Sequence, residues 1–421
     1  MSPVRPEVTV VGQRLDSESH RLRDFLTRIA QPYRWLEDGT PEAQQVLAGN
    51  GTTAELPVLV DEEGLLERAT VERVAERWTM HDAPARTDYD LAIVGAGPAG
   101  LAAAVYAASD GLTTLVSDRD VPGGQASHTS LIENFFGFPD GIGGAELSRF
   151  AGRQAERFGA ELLLMRGVVG GGPSTGGRFV IDIEGGHRIE ATTVIAAPGM
   201  VWRRLEVDGI DELLGRGIYY GAGRSEAAQC GGDPVVVVGA GNSAGQAVMH
   251  LGNSGARVTK LVRGDRLGKT MSGYLVDRIA AHPLIDVRLH TEIQAVDAED
   301  GQLAGVTIRG PGRTGEHIPA RALFLCLGGV PRTGWAADAG IRLDAKGYVL
   351  TGPDLLDEGR RPAEWPLARD PLALETSLPG MFAAGDVRHG SAKRVAGAVG
   401  DGAMAVALAH RRLEELTAAG G

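Results

Sequence analysis

Two apolar runs in this chain end at a glycine and pass directly into a segment of small residues. Residues 89–94 run into Gly95, and residues 234–238 run into Gly239. Short, continuous apolar runs are typical of strands buried on both faces, and a glycine directly after them is typical of a tight turn into a helix. The pattern predicts an α/β chain that contains two parallel-sheet units of the Rossmann type.

The first 80 residues have a pattern of their own. Apolar runs of strand length alternate with segments of helical spacing, at residues 8–11, 17–29, 56–60 and 70–78. The polar, proline-containing stretch 81–88 that follows is typical of a linker. We therefore expect residues 1–80 to form a small α/β domain.

From residue 89 onward the order of elements indicates that one nucleotide-binding domain is inserted into another. A strand pattern at residues 378–386 runs into Gly385-Asp386, and helical spacing follows at residues 395–416. Stretches rich in glycine and proline mark the two crossovers, at residues 198–201 and 328–331. The prediction is a first domain at residues 89–200 and 329–421, interrupted by a second at residues 201–328.

Composition narrows the classes of function. The net charge of −12 argues against a nucleic-acid partner, because such a partner requires a basic face. No apolar run approaches the length of a membrane span, and the first residues do not have the pattern of an export leader. Two cysteines in 421 residues indicate no disulfide framework. We therefore expect a cytoplasmic protein with no membrane and no nucleic-acid partner.

The first glycine fingerprint has the spacing of a dinucleotide pyrophosphate site. Its first glycine makes the turn, the second lets the backbone approach the phosphates, and the helix N-terminus offers free N–H groups. Asp118, at the end of the next predicted strand, is placed to accept the ribose hydroxyls. Late in the chain, Gly385 and Asp386 place a carboxylate at a second helix start, which suits the ribityl and phosphate part of a flavin. The fingerprint residues are Gly95, Gly97, Pro98, Ala99 and Gly100.

The second fingerprint predicts a second dinucleotide, and electron transfer between the two. The strand that follows it ends at Arg263 instead of an acid. An arginine can bind a 2′-phosphate that an acid would repel, so NADPH is favoured over NADH. The alternative is that Arg263 is an ordinary solvated loop residue. The residues of this second fingerprint are Gly239, Gly241, Asn242, Ser243 and Ala244.

These motifs together resemble the thioredoxin reductase family of FAD-dependent pyridine nucleotide oxidoreductases over about residues 89–416. The resemblance implies FAD and NADPH as cofactors and a homodimer. It also implies a second arginine, Arg266, beside the 2′-phosphate. One departure is Pro198, which stiffens a crossover where the family has a threonine. The further residues that the resemblance places at FAD are Gly124, Gln125, Asn134, Val168, Asp386, Arg394, Val395 and Ala396.

A second departure removes the chemistry that gives the family its name. Counted back from Gly239, the two redox cysteines of the family fall near Ala222 and Ser225, and neither is a thiol. Cys230 is the only thiol nearby, without a lysine or histidine within three residues to lower its pKa, and Cys326 lies in a predicted core strand. We expect both thiols to be inert, so that disulfide exchange is absent.

The first 80 residues resemble a thioredoxin or glutaredoxin module. Pro57 stands where that fold has its cis-proline, but residues 16–19 read Asp-Ser-Glu-Ser where the redox Cys-x-x-Cys should be. A module without thiols cannot exchange disulfides, and fold alone does not carry function. We therefore expect a packing or docking domain.

Two histidines are candidates for proton transfer. His128 lies in the segment that the resemblance places along the flavin ring, where it can exchange a proton with the flavin or the substrate. His389, after Gly385-Asp386, is a weaker candidate at the pyrimidine edge. For both, a structural or surface histidine is the alternative.

The function that follows is an FAD-dependent oxidoreductase that moves electrons between NAD(P)H, flavin and an acceptor other than thioredoxin. A small metabolite, a quinone, oxygen or an electron carrier fits that acceptor. One alternative is a flavin oxidase with a vestigial NAD(P)H site. The other is a redox-sensing flavoprotein that docks a partner.

Overall fold

The computed structural model describes residues 5–49, 54–80, 83–221, 224–227, 229–312, 315–336 and 339–420. Within these residues the strands form five sheets. None of the helices in the described ranges combines the length and apolar content needed to cross a bilayer.

The N-terminal sheet has the strand order β2-β1-β3-β4, with β1 parallel to β2 and antiparallel to β3. The carboxylate of Asp16 caps α1 by accepting a hydrogen bond from the Ser19 amide, and Leu22, Phe25 and Leu26 of that helix are buried. The Leu56–Pro57 peptide bond is cis, where the thioredoxin-like pattern has its cis-proline. The elements are β1 Val8–Gly12, α1 Ser17–Arg28, β2 Tyr33–Glu37, α2 Pro41–Gly49, β3 Val58–Asp61, β4 Gly64–Leu66 and α3 Val71–Arg77.

The first fingerprint joins a strand and a helix of a doubly wound sheet with the order β7-β6-β5-β10-β9-β8. The late strand β21 pairs with the C-terminal end of β10, so distant parts of the chain share this sheet. Helix α4 lies tightly against α9, since a Cβ on Gly402 would meet the Ala99 carbonyl oxygen. The elements are β5 Asp88–Val94, α4 Pro98–Ser109, β6 Thr114–Asp118, α5 Gly144–Arg157, β7 Glu161–Leu164, β8 Val168–Pro173, β9 Phe179–Ile183, β10 His187–Ala196, β21 Met381–Ala383 and α9 Val395–Gly420.

The second fingerprint belongs to a parallel sheet with the order β12-β19-β13-β14-β15, beside a three-stranded antiparallel sheet, β16-β17-β18. Two short antiparallel strands, β11 Met200–Trp202 and β20 Gly329–Pro331, join this region to the first sheet at the predicted crossovers. The other elements are β12 Ile218–Tyr220, α6 Arg224–Ala227, β13 Pro234–Val238, α7 Asn242–Asn253, β14 Arg257–Leu261, α8 Gly273–Ala280, β15 Ile285–Arg288, β16 Glu292–Glu299, β17 Gln302–Arg309, β18 Glu316–Pro319 and β19 Ala322–Leu325.

Helix α1 of the N-terminal region contacts both nucleotide-binding regions. Toward the first sheet, Arg28 donates from Nε to the Ser127 hydroxyl at 3.0 Å and from Nη2 to Asp120 at 2.8 Å. Toward the second sheet, the imidazole of His20 lies 2.9 Å from a carboxylate oxygen of Glu226. Helix α1 therefore bridges two regions of the molecule.

Candidate active site

A cavity of about 570 Å³ opens where the first fingerprint faces the second sheet. Strand ends and helix starts supply most of its wall, as expected for a ligand site in a doubly wound sheet. The predicted residues among those lining it are Gly97, Pro98, Ala99, Asp118, Gly124, Gln125, His128, Ser243, Gly385, Asp386, Arg394 and Val395.

The glycines of the first fingerprint have different surroundings. A Cβ on Gly95 would lie 2.2 Å from the Ala197 carbonyl oxygen, and one on Gly100 would lie 1.8 Å from that of Gly95. A Cβ on Gly97 would meet nothing within 4 Å, because this position faces the cavity. The first and third glycines therefore permit close backbone packing. The second leaves room for a pyrophosphate at the start of α4.

Two carboxylates at the cavity have the surroundings of hydroxyl acceptors. Asp118 accepts hydrogen bonds from the amides of Ala96 at 2.6 Å and Asp120 at 3.0 Å, and burial raises its pKa. Burial likewise raises the pKa of Asp386, next to the start of α9. Buried carboxylates favour further donors, and the hydroxyls of a ribose or ribityl chain are such donors. These two acceptors therefore fit the hydroxyl groups of a flavin dinucleotide.

Some predicted FAD residues lie outside this cavity. Val168 and Gly95 line a second cavity of about 590 Å³, which Asp118 shares with the first. Gly100 and Ala396 lie outside the lining of both cavities. Asn134 also lies outside both linings and is exposed. Its neighbour Glu133 instead contacts the second nucleotide-binding region, where it accepts from Arg278 at 2.9 Å.

The second fingerprint repeats the geometry of the first. A Cβ on Gly239 would lie 2.4 Å from the Cys326 carbonyl oxygen and 2.9 Å from the Cβ of Ala244, whereas one on Gly241 would meet nothing within 4 Å. Asn242 accepts from the Ser272 amide at 2.8 Å, and Ser243 reaches the first cavity. Arg263 and Arg266 are exposed beyond the end of β14 and line neither cavity.

A buried lysine that sequence patterns did not indicate lies under the second fingerprint. Lys260 has no exposed surface, and its ammonium donates to the Gly239 carbonyl oxygen at 2.8 Å. Burial lowers the pKa of this lysine to about 8. The charge lies directly behind the turn that faces the expected nucleotide.

His128 lines the first cavity together with residues that sequence analysis did not select. Its Nδ1 lies 3.4 Å from a carboxylate oxygen of Asp24 on α1, and its ring lies edge-on to Trp202 with centroids 6.0 Å apart. Arg28, also on α1, lines the same cavity. The signal that was missed is a stripe of charged or titratable residues at helical spacing, His20, Asp24 and Arg28, beside the apolar face of α1.

A sequence profile described as pyridine nucleotide-disulphide oxidoreductase matches residues 89–402. The chain belongs to that family. The thioredoxin reductase of Bacillus subtilis is 31% identical over 332 residues, 78% of this chain and 96% of that protein. The thioredoxin reductase of Listeria monocytogenes is 34% identical over 336 residues, 78% of this chain and 95% of that protein. The crystal structures of thioredoxin reductase from Lactococcus lactis and T. acidophilum each cover 78% of this chain. The matched residues make up 99% and 100% of those two chains, with TM-scores of 0.67 and sequence identities of 29% and 28%.

As a member of the pyridine nucleotide-disulphide oxidoreductase family, the protein is an FAD-dependent NAD(P)H oxidoreductase, and FAD and NADPH are its cofactors. The open second glycine of each fingerprint and the buried carboxylates at the first cavity fit these two dinucleotides. The first 88 residues, which contain α1 and its contacts to the cavity, precede the matched region.

The sequence contains no Cys-x-x-Cys motif, and its two cysteines are Cys230 and Cys326. Ala222 lies outside the described residues, as does the side chain of Ser225 in α6. Both cysteines are free and buried, and burial raises the thiol pKa to about 12 for Cys230 and about 11 for Cys326. His389, the weaker proton-transfer candidate, lies 2.7 Å from Asp344 and outside the lining of both cavities.

Proposed function

We propose that the protein passes electrons from NADPH through FAD to a small acceptor, without a thiol relay. The observation that carries this proposal is that a cavity-lining histidine, and no dithiol, accompanies the flavin site. Bound FAD supplies the two-electron chemistry between NADPH and the acceptor. The chain's own residues hold both nucleotides, admit the acceptor and supply protons.

The positions of the two thiols support direct transfer. Cys230 precedes the first residue of β13, whereas the amide of Cys326 donates to Val238 at the other end of that strand. Four residue steps along a strand span about 13 Å, and a disulfide requires Cα atoms within about 7 Å. The high thiol pKa values also disfavour the thiolate that any exchange needs.

We propose that the acceptor binds at the end of the cavity near His128. Trp202 and Met200 of β11 and Gln125 line this region, and Gln125 donates to the Met200 carbonyl oxygen at 3.0 Å. An aromatic ring, a thioether and a titratable group suit a flat, mostly apolar molecule with polar oxygens, such as a quinone.

Anaerobic addition of NADPH to the purified holoprotein tests the direction of electron flow. We expect rapid bleaching of the flavin and recovery of its colour when a water-soluble benzoquinone is added. No bleaching would favour an oxidase that uses another donor. Bleaching without turnover on quinone, oxygen or a dye would favour a sensor.

A coupled assay tests the choice of acceptor. With NADPH, thioredoxin and a disulfide dye, we expect dye reduction at the background rate, because no dithiol links the flavin to the partner. A bacterial thioredoxin reductase serves as the positive control. Robust reduction that depends on thioredoxin would contradict the proposal.

A homodimer in the cytoplasm is the assembly and location that we propose with this function. Both follow from the resemblance to thioredoxin reductases, and the net charge of −12 is consistent with a freely soluble chain. Light scattering of the holoprotein tests the dimer, since a single-chain mass would contradict it.

A further inference from the structure

We propose that the N-terminal domain completes the active site by supplying Asp24 as a positioning residue for His128. The inference rests on the proposed function, because it assigns His128 the task of protonating the reduced acceptor. It also gives the thiol-free domain a chemical role in place of the lost redox role.

The geometry of the pair carries the proposal. Asp24 and His128 are separated by 104 positions in the sequence, yet Nδ1 of the histidine lies 3.4 Å from the carboxylate. The side chains are 23% and 18% exposed, so the pair is largely shielded from water. His128 also lines the cavity, whereas Asp24 does not. The carboxylate therefore contacts the histidine without forming part of the cavity lining.

The environment keeps Asp24 charged. Burial alone would raise its pKa, but contact with His128 and the charges of Arg28 and His20 outweigh this and hold the pKa at about 2. A carboxylate beside Nδ1 accepts from that nitrogen and so holds a proton on it. Nε2 is then the nitrogen that exchanges a proton with a molecule in the cavity.

The step balances for a quinone-type acceptor. The acceptor would take a hydride, two electrons and one proton, which bound FAD would supply from NADPH. Its oxygen then takes a second proton from Nε2 of His128, which leaves the ring neutral with its proton on Nδ1. Solvent restores the lost proton before the next turnover. Hydride transfer from NADPH to the flavin does not use this proton.

Other charged groups share the surroundings of His128 and must be held constant in a test. Arg28 and His20 lie on α1 with Asp24, and Glu226 of α6 contacts His20. From the end of β6 and the segment after it, Asp118, Arg119 and Asp120 line the cavity. From the rest of the FAD-binding region, Arg332, Asp386, Lys393 and Arg394 line it. All of these remain in an Asp24→Asn protein.

The kinetic test compares the wild-type holoenzyme with Asp24→Asn and with Glu226→Gln as the matched control. Glu226→Gln removes a different charged contact of α1 and leaves the Asp24–His128 pair intact. The quantity compared is the rate at which a water-soluble benzoquinone reoxidises the reduced holoprotein at one pH. In Asp24→Asn this rate should fall by roughly tenfold or more, since proton transfer from a positioned side chain contributes about 10²–10⁴-fold. In Glu226→Gln it should match the wild type. Reduction by NADPH should be unchanged.

A spectroscopic test is independent of turnover. In wild-type protein labelled with ¹⁵N in its histidine rings, His128 should carry its proton on Nδ1 at high pH. In Asp24→Asn it should shift toward the Nε2–H form that free histidine prefers, whereas Glu226→Gln should match wild type. His128→Gln assigns the signal.

The outcomes separate the two proposals. Equal reoxidation rates for wild type and Asp24→Asn, or an unchanged ring tautomer, would overturn the role of Asp24. An equal loss of rate in Glu226→Gln would overturn it as well, because general loosening of α1 would then be the cause. Failure of the wild type to reduce quinone would overturn the proposed function, and the tautomer measurement would still decide the role of Asp24.

Discussion

Gly97 and Gly241 hold corresponding places before the helices of the two fingerprints. Both have extended backbone, with φ of −70° and −84°, and a Cβ on either would meet no protein atom within 4 Å. Larger side chains are therefore compatible with the fold at both positions but occupy the space for a pyrophosphate. This makes the two glycines a matched pair for testing which nucleotide binds where.

We predict that Gly97→Val yields protein without flavin, because the side chain blocks the phosphates at α4. Gly241→Val should retain FAD but lose reduction by NADPH. Absorbance spectra and anaerobic reduction of the two purified variants check this. Stoichiometric flavin in Gly97→Val would remove the first fingerprint from the FAD site.

The predicted preference for NADPH over NADH depends on Arg263. Arg263→Ala should weaken NADPH by on the order of 1–3 kcal/mol and leave NADH nearly unaffected, since only NADPH has a 2′-phosphate. Arg257, exposed at the opposite end of β14, provides the control variant Arg257→Ala. Values of kcat/KM for the two nucleotides measure the effect. Equal losses for both would place Arg263 outside the site.

We predict that burial of Lys260 makes the stability of the protein depend on pH. Its pKa is about 8 in the folded protein and ordinarily 10.5, so the unfolded chain binds the extra proton between these values. Stability should therefore rise with pH across this window, by roughly 3 kcal/mol for the full shift. Lys260→Met should raise the Tm at pH 7 and lose that advantage by pH 10, whereas exposed Lys269→Met should do neither. A lower Tm for Lys260→Met at pH 7 would contradict the buried-charge argument.

At the scale of elements, α1 connects the N-terminal domain to the rest of the protein through groups that titrate. Burial lowers the pKa of His20, but the charge and hydrogen bond of Glu226 outweigh this, so the pKa is raised. A raised folded pKa gives stability that is complete below the ordinary value of 6.5 and is lost as pH rises through the folded value. The contact between α1 and the region of α6 should therefore be more stable in mildly acidic solution.

Hydrogen exchange measures this tightening. After correction for intrinsic rates, the amides of α1 should exchange more slowly at pH 6 than at pH 8. The difference should disappear in His20→Phe, while α3, which contains no histidine, reports on the N-terminal region itself. Equal protection of α1 at both pH values in the wild type would refute the role of the His20–Glu226 pair.

How far the sequence predicts each element depends on its burial. Strands β5 and β13 follow the predicted bounds closely, because strands covered on both faces have continuous apolar runs. Strand β2 was missed, since Arg34 and Glu37 are exposed and its pattern is mixed. The fingerprint geometry was predictable because it is local. The Asp24–His128 contact was not, because it depends on how a separate domain docks.

At the scale of the whole molecule, the protein combines three regions around one cavity. The first fingerprint lines the cavity where we propose that the flavin binds, the second brings Ser243 to the same space, and α1 contributes Arg28. The sequence contains no Cys-x-x-Cys, and of its two cysteines Cys326 lines this cavity whereas Cys230 does not. In the function proposed here, electrons therefore reach the acceptor without passing through a thiol.

The cysteine-free variant, Cys230→Ser with Cys326→Ser, tests that claim most directly. Its rates of flavin reduction by NADPH and of turnover on benzoquinone should stay within about twofold of wild type, since both thiols are buried and held protonated. Flavin content and Tm establish that the variant is folded. Normal flavin reduction combined with loss of acceptor turnover would contradict the account, because it would show that a thiol carries the electrons.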